Sequence, residues 1–148
     1  MSNIAILAAG CFWGIEDKFG SAKGVVETEV GYIGGKTNNP TYKDVCQGDT
    51  FHAEAVRVFF NEEEINFDNL LDLFFEIHDP TTLNSQGPDF GTQYRSEIFY
   101  LNDKQKKISE NAIKKINSSL SGKVVTKSSL LKNYCPAEEY HQRYLEKR

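Results

Sequence analysis

Apolar residues run unbroken from Ile4 to Ala9 and stop at Gly10, which predicts a short buried strand ending in a turn. Phe12 to Phe19 then reads as a helix, with Cys11 at its first turn and Gly20 near its end. Val25 to Ile33 is rich in strand-forming residues and is closed by Gly34-Gly35. Asn38-Asn39-Pro40-Thr41 is turn chemistry, and Pro40 leads into a short helix through Cys46. Ala53 to Phe60 alternates as a strand does. Phe67, Leu70, Leu71, Phe74, Phe75 and His78 share one helical face, and Asp79-Pro80 ends that helix.

The pattern then lapses from Pro80 to Gln93, a polar and glycine-rich loop long enough to be functional. A strand resumes over Tyr94 to Leu101. Asp103 caps a lysine-rich helix with a narrow stripe of Ile108, Ala112, Ile116 and Leu120. Lys123 to Leu131 suggests a last strand, and Pro136 opens a terminal helix carrying Tyr140, His141, Tyr144 and Leu145. Strands and helices are interleaved without a repeat or a linker, so the chain reads as one mixed domain.

Composition narrows the function. The 148 residues are 39% hydrophobic and 26% charged, an ordinary globular balance. Net charge is −4 with no basic block, which argues against a nucleic-acid partner. No stretch approaches the ~18 apolar residues of a membrane span. Three cysteines at 11, 46 and 135 make no disulfide framework and suit reduced thiols in a cytoplasmic compartment. Leu7 to Cys11 resembles the site before a lipidated cysteine, but no basic segment precedes it and its apolar run is short, so an export signal is not expected.

Cys11 stands out because it falls where a strand passes into a helix. The free N–H groups and dipole of a helix N-terminus favour a thiolate there. Phe12 and Trp13 follow it directly, and adjacent rings on one helical turn cannot both face inward, so at least one should line a surface or pocket. Glu54 shares its parity with Val56, Val58 and Phe60. It is either a desolvated acid with a raised pKa or, with the strand starting one residue later, a solvated carboxylate. Tyr32, Tyr42 and Tyr94 lie beside turns from which a phenol can reach a cleft. His52, His78 and His141 are candidate bases, but C-x5-H from Cys46 to His52 fits no metal-site spacing, and no metal is expected.

These segments resemble the peptide methionine sulfoxide reductase A family. The matching stretches are GCFWGIE at 10–16, GYIGGKTNNPTYKDVCQGDT at 31–50, HAEAVRV at 52–58, EIHDPTTLNSQG at 76–87, GTQYRS at 91–96 and PAEEYHQRY at 136–144. The resemblance implies an α+β fold: one catalytic domain over 1–148, a mixed sheet packed against helices in two layers, with a ferredoxin-like core. It implies Cys11 as the nucleophile, Glu54 as the acid, and Tyr42 and Tyr94 as donors to the sulfoxide oxygen. Phe12 and Trp13 would receive the S-methyl group, and Asp89 would bind substrate. The substrate would be methionine-S-sulfoxide, free or in oxidised proteins, and the product methionine plus a Cys11 sulfenic acid. No cofactor is implied beyond an external thiol such as thioredoxin, glutaredoxin or glutathione.

Some positions depart from the family's pattern. Phe51 stands where glycine commonly precedes HAE, Pro88 and Phe90 flank Asp89, Lys127-Ser128 replaces an acidic-plus-Ile pair, and Cys135 occupies an aromatic position. Many members carry resolving cysteines on a glycine-rich tail. Here Cys135 and Cys46 are the candidates, with an outside thiol as the alternative. Two other functions are weighed against the reductase: a Cys–His hydrolase or transferase, and a non-catalytic module for methionine side chains.

Overall fold

The first strand forms as β1 (Asn3–Ala9) and passes through Gly10 into helix α1 (Phe12–Gly20) in the computed structural model, which describes residues 3–147. There follow β2 (Val25–Ile33), the short α2 (Tyr42–Cys46), β3 (Ala53–Phe60) and α3 (Phe67–Glu76). After a small hairpin of β4 (Ser85–Gln86) and β5 (Asp89–Phe90) come β6 (Ser96–Tyr100), α4 (Asp103–Ser119), β7 (Lys127–Leu130) and β8 (Cys135–Pro136).

The main sheet has the order β7-β6-β1-β3-β2-β8. Its inner four strands, with α1 and α3, make a β-α-β-β-α-β unit in which β1 lies antiparallel between β3 and β6, and β2 antiparallel beside β3. This is the ferredoxin-like core expected of the chain. β7 adds in parallel to β6 after the α4 crossover, and β8 adds antiparallel to β2.

Alternation in β1 and β3 sorts the apolar residues into two layers. Ala5, Leu7, Ala9, Val56, Val58 and Phe60 face Phe12, Ile15 and Phe19 of α1 and Leu70, Leu71 and Phe74 of α3. Ile6, Ala8, Ala53, Ala55 and Phe99 face the other way, against Ile4, Leu101 and Tyr134. Asn66 caps α3 by accepting from the Asn69 N–H at 2.8 Å. For α4 the cap is Asn102, which accepts from Gln105 at 2.9 Å, so Asp103 is the first helical residue rather than the cap.

The stripe expected on α4 is only half buried at Ile108, Ala112 and Ile116, while Gln105 and Ser109 are buried. Gln105 turns inward because its amide donates to the Ile4 carbonyl at 2.8 Å and accepts from the Leu101 N–H at 3.0 Å. Tyr94 ends a 3-10 turn, Thr92–Tyr94, instead of starting a strand.

The terminal helix expected from Pro136 does not form. Cys135–Pro136 pairs with β2, and only a 3-10 turn, Glu139–His141, follows. The groups a helix would use are claimed by tertiary partners. Gln142 accepts from the Val30 N–H at 2.8 Å and donates to the carbonyls of Val30 (2.9 Å) and Ala137 (3.0 Å). Arg143 has φ +50°, and its N–H donates to Glu16 Oε1 at 2.7 Å.

Gln142 thus completes the edge of β2 as a short strand would. Its replacement by alanine orphans buried backbone groups and is expected to cost about 2–3 kcal/mol in urea unfolding. A change below about 0.5 kcal/mol would show that the C-terminal segment is held by its packing alone.

Candidate active site

Three elements meet at Cys11. β1 delivers it through Gly10, whose φ of +103° is a left-handed geometry suited to glycine. A side chain there would also run into Gln86, with a built Cβ only 2.8 Å from its Cγ. Cys11 takes the N-cap position of α1 and is half buried. The backbone N–H groups of Trp13 and Gly14 act to lower its pKa, as the helix start predicts, but burial outweighs them and the net shift is upward. The charges of Glu54 and Asp89 add to that rise. The resting thiol is therefore not the preformed thiolate expected from helix position alone.

Glu54 is 1% exposed, on the helix-facing side of β3. The strand begins at Ala53, which decides between the two sequence readings in favour of the buried acid. Glu54 Oε1 accepts from the Phe12 N–H at 3.1 Å, and Oε2 is buried without a hydrogen-bond partner. Burial raises its pKa to about 8; the Phe12 bond opposes the rise and the Asp89 charge adds to it.

Tyr42 begins α2, whose start is fixed by a capping box between Thr41 and Asp44. Burial raises its pKa, aided by a hydrogen bond to Cys46 and the charge of Glu54. Tyr94 is raised by burial first, then by the charges of Glu54, Cys46, Asp89 and Cys11, so its phenol shares one field with all four. The Pro80–Gln93 segment is ordered by its own contacts. Gln86 accepts from the Asp79 N–H at 3.0 Å, and its amide donates back to the Asp79 carbonyl. The hairpin so formed carries Asp89 into the field of Cys11, Glu54 and Tyr94.

The aromatic wall is divided as adjacency requires. Phe12 is 1% exposed, enclosed by Tyr32, Tyr42 and His141, whereas Trp13 keeps part of its surface. Trp13 stacks on Tyr144 at 3.9 Å, and its indole N–H donates to His141 Nδ1 at 2.9 Å. That bond makes Nδ1 the acceptor and leaves the proton of a neutral imidazole on Nε2. Burial lowers the His141 pKa, against the charge of Glu138, which keeps the ring neutral.

Glu138, which sequence reasoning left without a role, accepts from the Tyr32 hydroxyl at 2.7 Å and from the Tyr42 N–H at 2.9 Å. Burial works to raise its pKa, but those bonds outweigh it and the net shift is downward. The signal available in sequence was a run of polar residues, PAEEYHQ, after a proline.

The other candidates lie apart. His52 accepts from the Gly35 N–H at 3.2 Å and bonds the Thr37 carbonyl at 2.6 Å. His78 lies against the Phe74 carbonyl and Ser96. His141 does lie at the site but gives its Nδ1 to the Trp13 indole, and among the described residues no histidine is hydrogen-bonded to Cys11. All three cysteines are free: Cys46 is exposed beside Tyr42, and half-buried Cys135 donates its S–H to the Pro136 carbonyl at 3.5 Å. Among the described residues, no cluster of three or more His, Cys, Asp or Glu side chains forms a metal site, and no helix is long and apolar enough to cross a membrane.

A buried acid tied to the helix that starts with a cysteine, beside phenols and an indole, is a built site for attack on a polarised small group. Comparison with known proteins points the same way. The family model for peptide methionine sulfoxide reductase matches residues 3–148. Peptide methionine sulfoxide reductase MsrA of Pelagibacter ubique is 68% identical over 146 residues, covering 99% of both chains. The crystal structure of reduced Mxr1 from Saccharomyces cerevisiae superposes with a TM-score of 0.93 at 40% identity, covering 99% of this chain and 86% of that one. Mxr1 solved in complex with Trx2 superposes at 0.68 and 26% identity, covering 97% and 84%. The chain belongs to the peptide methionine sulfoxide reductase family, oxidoreductases that reduce methionine sulfoxide to methionine.

Proposed function

We propose that residues 1–148 are one catalytic domain in which Cys11 attacks the sulfur of methionine-S-sulfoxide while Glu54 protonates its oxygen. The observation that best supports this is the Glu54 carboxyl, with one oxygen held by the first N–H of the Cys11 helix and the other unpartnered. Ionising this carboxyl in its dry surroundings, with a pKa near 8 against an ordinary 4.5, costs of the order of 5 kcal/mol at about 1.36 kcal/mol per unit. At neutral pH it is therefore an acid, which a sulfoxide oxygen needs in order to leave.

The substrate's methyl group lies against Trp13, with Phe12 as the buried backing of that wall. Its oxygen lies toward Glu54, Tyr42 and Tyr94, and Asp89 holds the rest of the substrate from the hairpin. Methyl on the ring side and oxygen on the acid side select the S epimer. As sulfur attacks sulfur, Glu54 gives its proton to the oxygen and takes up the proton released by the Cys11 thiol. The sulfur–sulfur bond so formed then breaks, its electron pair going to the methionine sulfur, as the hydroxyl oxygen (transferred directly or replaced by water) bonds to Cys11 as a sulfenic acid; methionine has gained two electrons and Cys11 has lost two.

A second thiol then condenses with the sulfenic acid, forming a disulfide and water. Of the two internal candidates we favour Cys46, since it neighbours Tyr42 and acts on Tyr94, a phenol that also feels Cys11, whereas the groups shifting Cys135 reduce to burial and Glu138. The resulting disulfide is reduced by a dithiol protein of the thioredoxin class, in keeping with the complex between the related Mxr1 and Trx2. Glutaredoxin or glutathione would serve through the same exchange chemistry. Free cysteines and the need for such a reductant favour operation in the cytoplasm, on oxidised proteins or free methionine sulfoxide.

Reduced enzyme given peptide methionine-S-sulfoxide without reductant is expected to release about one methionine per chain, and Cys11→Ser none. Glu54→Gln is expected to slow this single turnover by about 10²–10⁴ and to remove the fall in rate near pH 8. Wild-type rates from Glu54→Gln would overturn the acid role. Thiol counts after turnover assign recycling: two lost in wild type and in Cys135→Ser, but one in Cys46→Ser, is the expected pattern.

Glu54 also governs stability. Between pH 4.5 and 8 the folded chain holds a proton that the unfolded chain has released, so stability falls as pH rises. His78, lowered by burial to about 4, works in the opposite sense between 4 and 6.5. The Glu54 effect is thus clearest from pH 6.5 to 8, where wild type is expected to lose on the order of 2 kcal/mol in urea unfolding. Glu54→Gln should be nearly flat over that range, and equal slopes would refute the burial argument.

A further inference from the structure

A groove of about 440 Å³ begins at Trp13 and runs along the outer side of α1, between the start of β2 and the C-terminal segment. The reductase chemistry leaves it unused. We propose that it binds a lysine or arginine side chain of the oxidised polypeptide, about three residues from the methionine sulfoxide. This rests on Trp13 being the wall of the sulfoxide pocket, because Trp13 is the residue the groove shares with that wall.

The lining suits a long cationic side chain. Val26, 63% exposed, and Leu145, 43% exposed, give an apolar bed for its methylenes. The carboxylates of Asp17, Glu27 and Glu146 are exposed around that bed. A β-bulge between Val25 and Glu27 lets the two successive residues Val26 and Glu27 both face solvent, so the bed and one carboxylate come from adjacent positions. Glu16 also lines the groove but is spent on structure, accepting from the Thr28 hydroxyl at 2.8 Å and the Arg143 N–H at 2.7 Å. Among the described residues Arg143 is the one cation in the lining, against four carboxylates, and neighbouring Lys147 is turned away to the Glu139 carbonyl.

The register follows from helix geometry. Asp17 is six residues beyond Cys11, about 9 Å along the helix axis. Extended peptide advances about 3.3 Å per residue, so a side chain three residues from the sulfoxide reaches the carboxylates.

The test uses the full chain with dithiothreitol as reductant, at low salt and at 0.5 M salt. Its substrates are free methionine-S-sulfoxide and otherwise neutral peptides carrying lysine, or glutamate, three residues to either side of the sulfoxide. Wild type should favour a lysine peptide over its glutamate counterpart in kcat/KM by about tenfold at low salt, with the preference shrinking at high salt. The triple variant Asp17→Lys, Glu27→Lys, Glu146→Lys should lose or reverse that preference and keep wild-type kcat/KM on free methionine sulfoxide. A lysine-to-glutamate ratio near one in wild type, or the same ratio in the variant, overturns the proposal. So does an equal loss on all substrates, which would mean the groove acts through the site itself. Failure of wild type on free methionine sulfoxide as well as on every peptide would instead overturn the reading of the site.

Discussion

The hydrogen bond from the Phe12 N–H to Glu54 is the constraint on which the site depends. It joins the first turn of α1 to the second residue of β3, and so ties the helix that Cys11 caps to the strand that carries Glu54. A helix start leaves N–H groups without internal partners, and a buried carboxyl needs donors. One bond meets part of both needs. Because it is only one, the carboxyl stays under-solvated and keeps its proton. A second donor at Oε2 would stabilise the carboxylate and remove the acid.

The same dryness sets the state of Cys11. Helix amides pull its proton off and burial holds it on, and burial prevails. With Glu54 also protonated near neutral pH, an empty site carries no charge on either group, which spares the fold a buried anion beside Asp89. In the proposed reaction the thiolate therefore forms together with proton transfer to the bound sulfoxide. That coupling makes the substrate's own oxygen part of the activation of the cysteine, and a ligand without a basic oxygen would leave the thiol inert.

Much of this was legible in sequence. The range of β2 follows from its strand-forming residues and the Gly34-Gly35 pair that closes it, that of β3 from alternation, and the parity of Glu54 from period two. Cys11 at a strand–helix junction was equally plain. What escaped was assembled over long sequence separations. Trp13 is oriented by His141, Tyr32 and Tyr42 by Glu138, and the edge of β2 by Gln142. Each of these polar groups sits in a segment whose proline and aromatic spacing imitate a helix, and no local rule says that its hydrogen bonds go elsewhere. The net direction of the Cys11 shift was hidden for a similar reason, since burial is set by the whole fold and a helix start by a few residues.

The departures from the family's pattern make physical sense once placed. Pro88 is an exposed turn residue, and Phe90 lies on the solvent face of the hairpin at 78% exposure, so both alternate away from Asp89 and leave its inward placement intact. Cys135 meets β2 through backbone pairing opposite Tyr32, a contact that asks little of the side chain. Phe51 differs in kind. Its φ of +61° lies in the left-handed region, where glycine is at ease and a bulky residue is strained, which accounts for glycine as the family's usual choice. The chain offsets part of that cost with the Lys36 ammonium, 4.8 Å from the centre of the Phe51 ring. The strain is borne three residues before Glu54, where the backbone must turn into β3, and β3 still begins at Ala53 with Glu54 on the buried side.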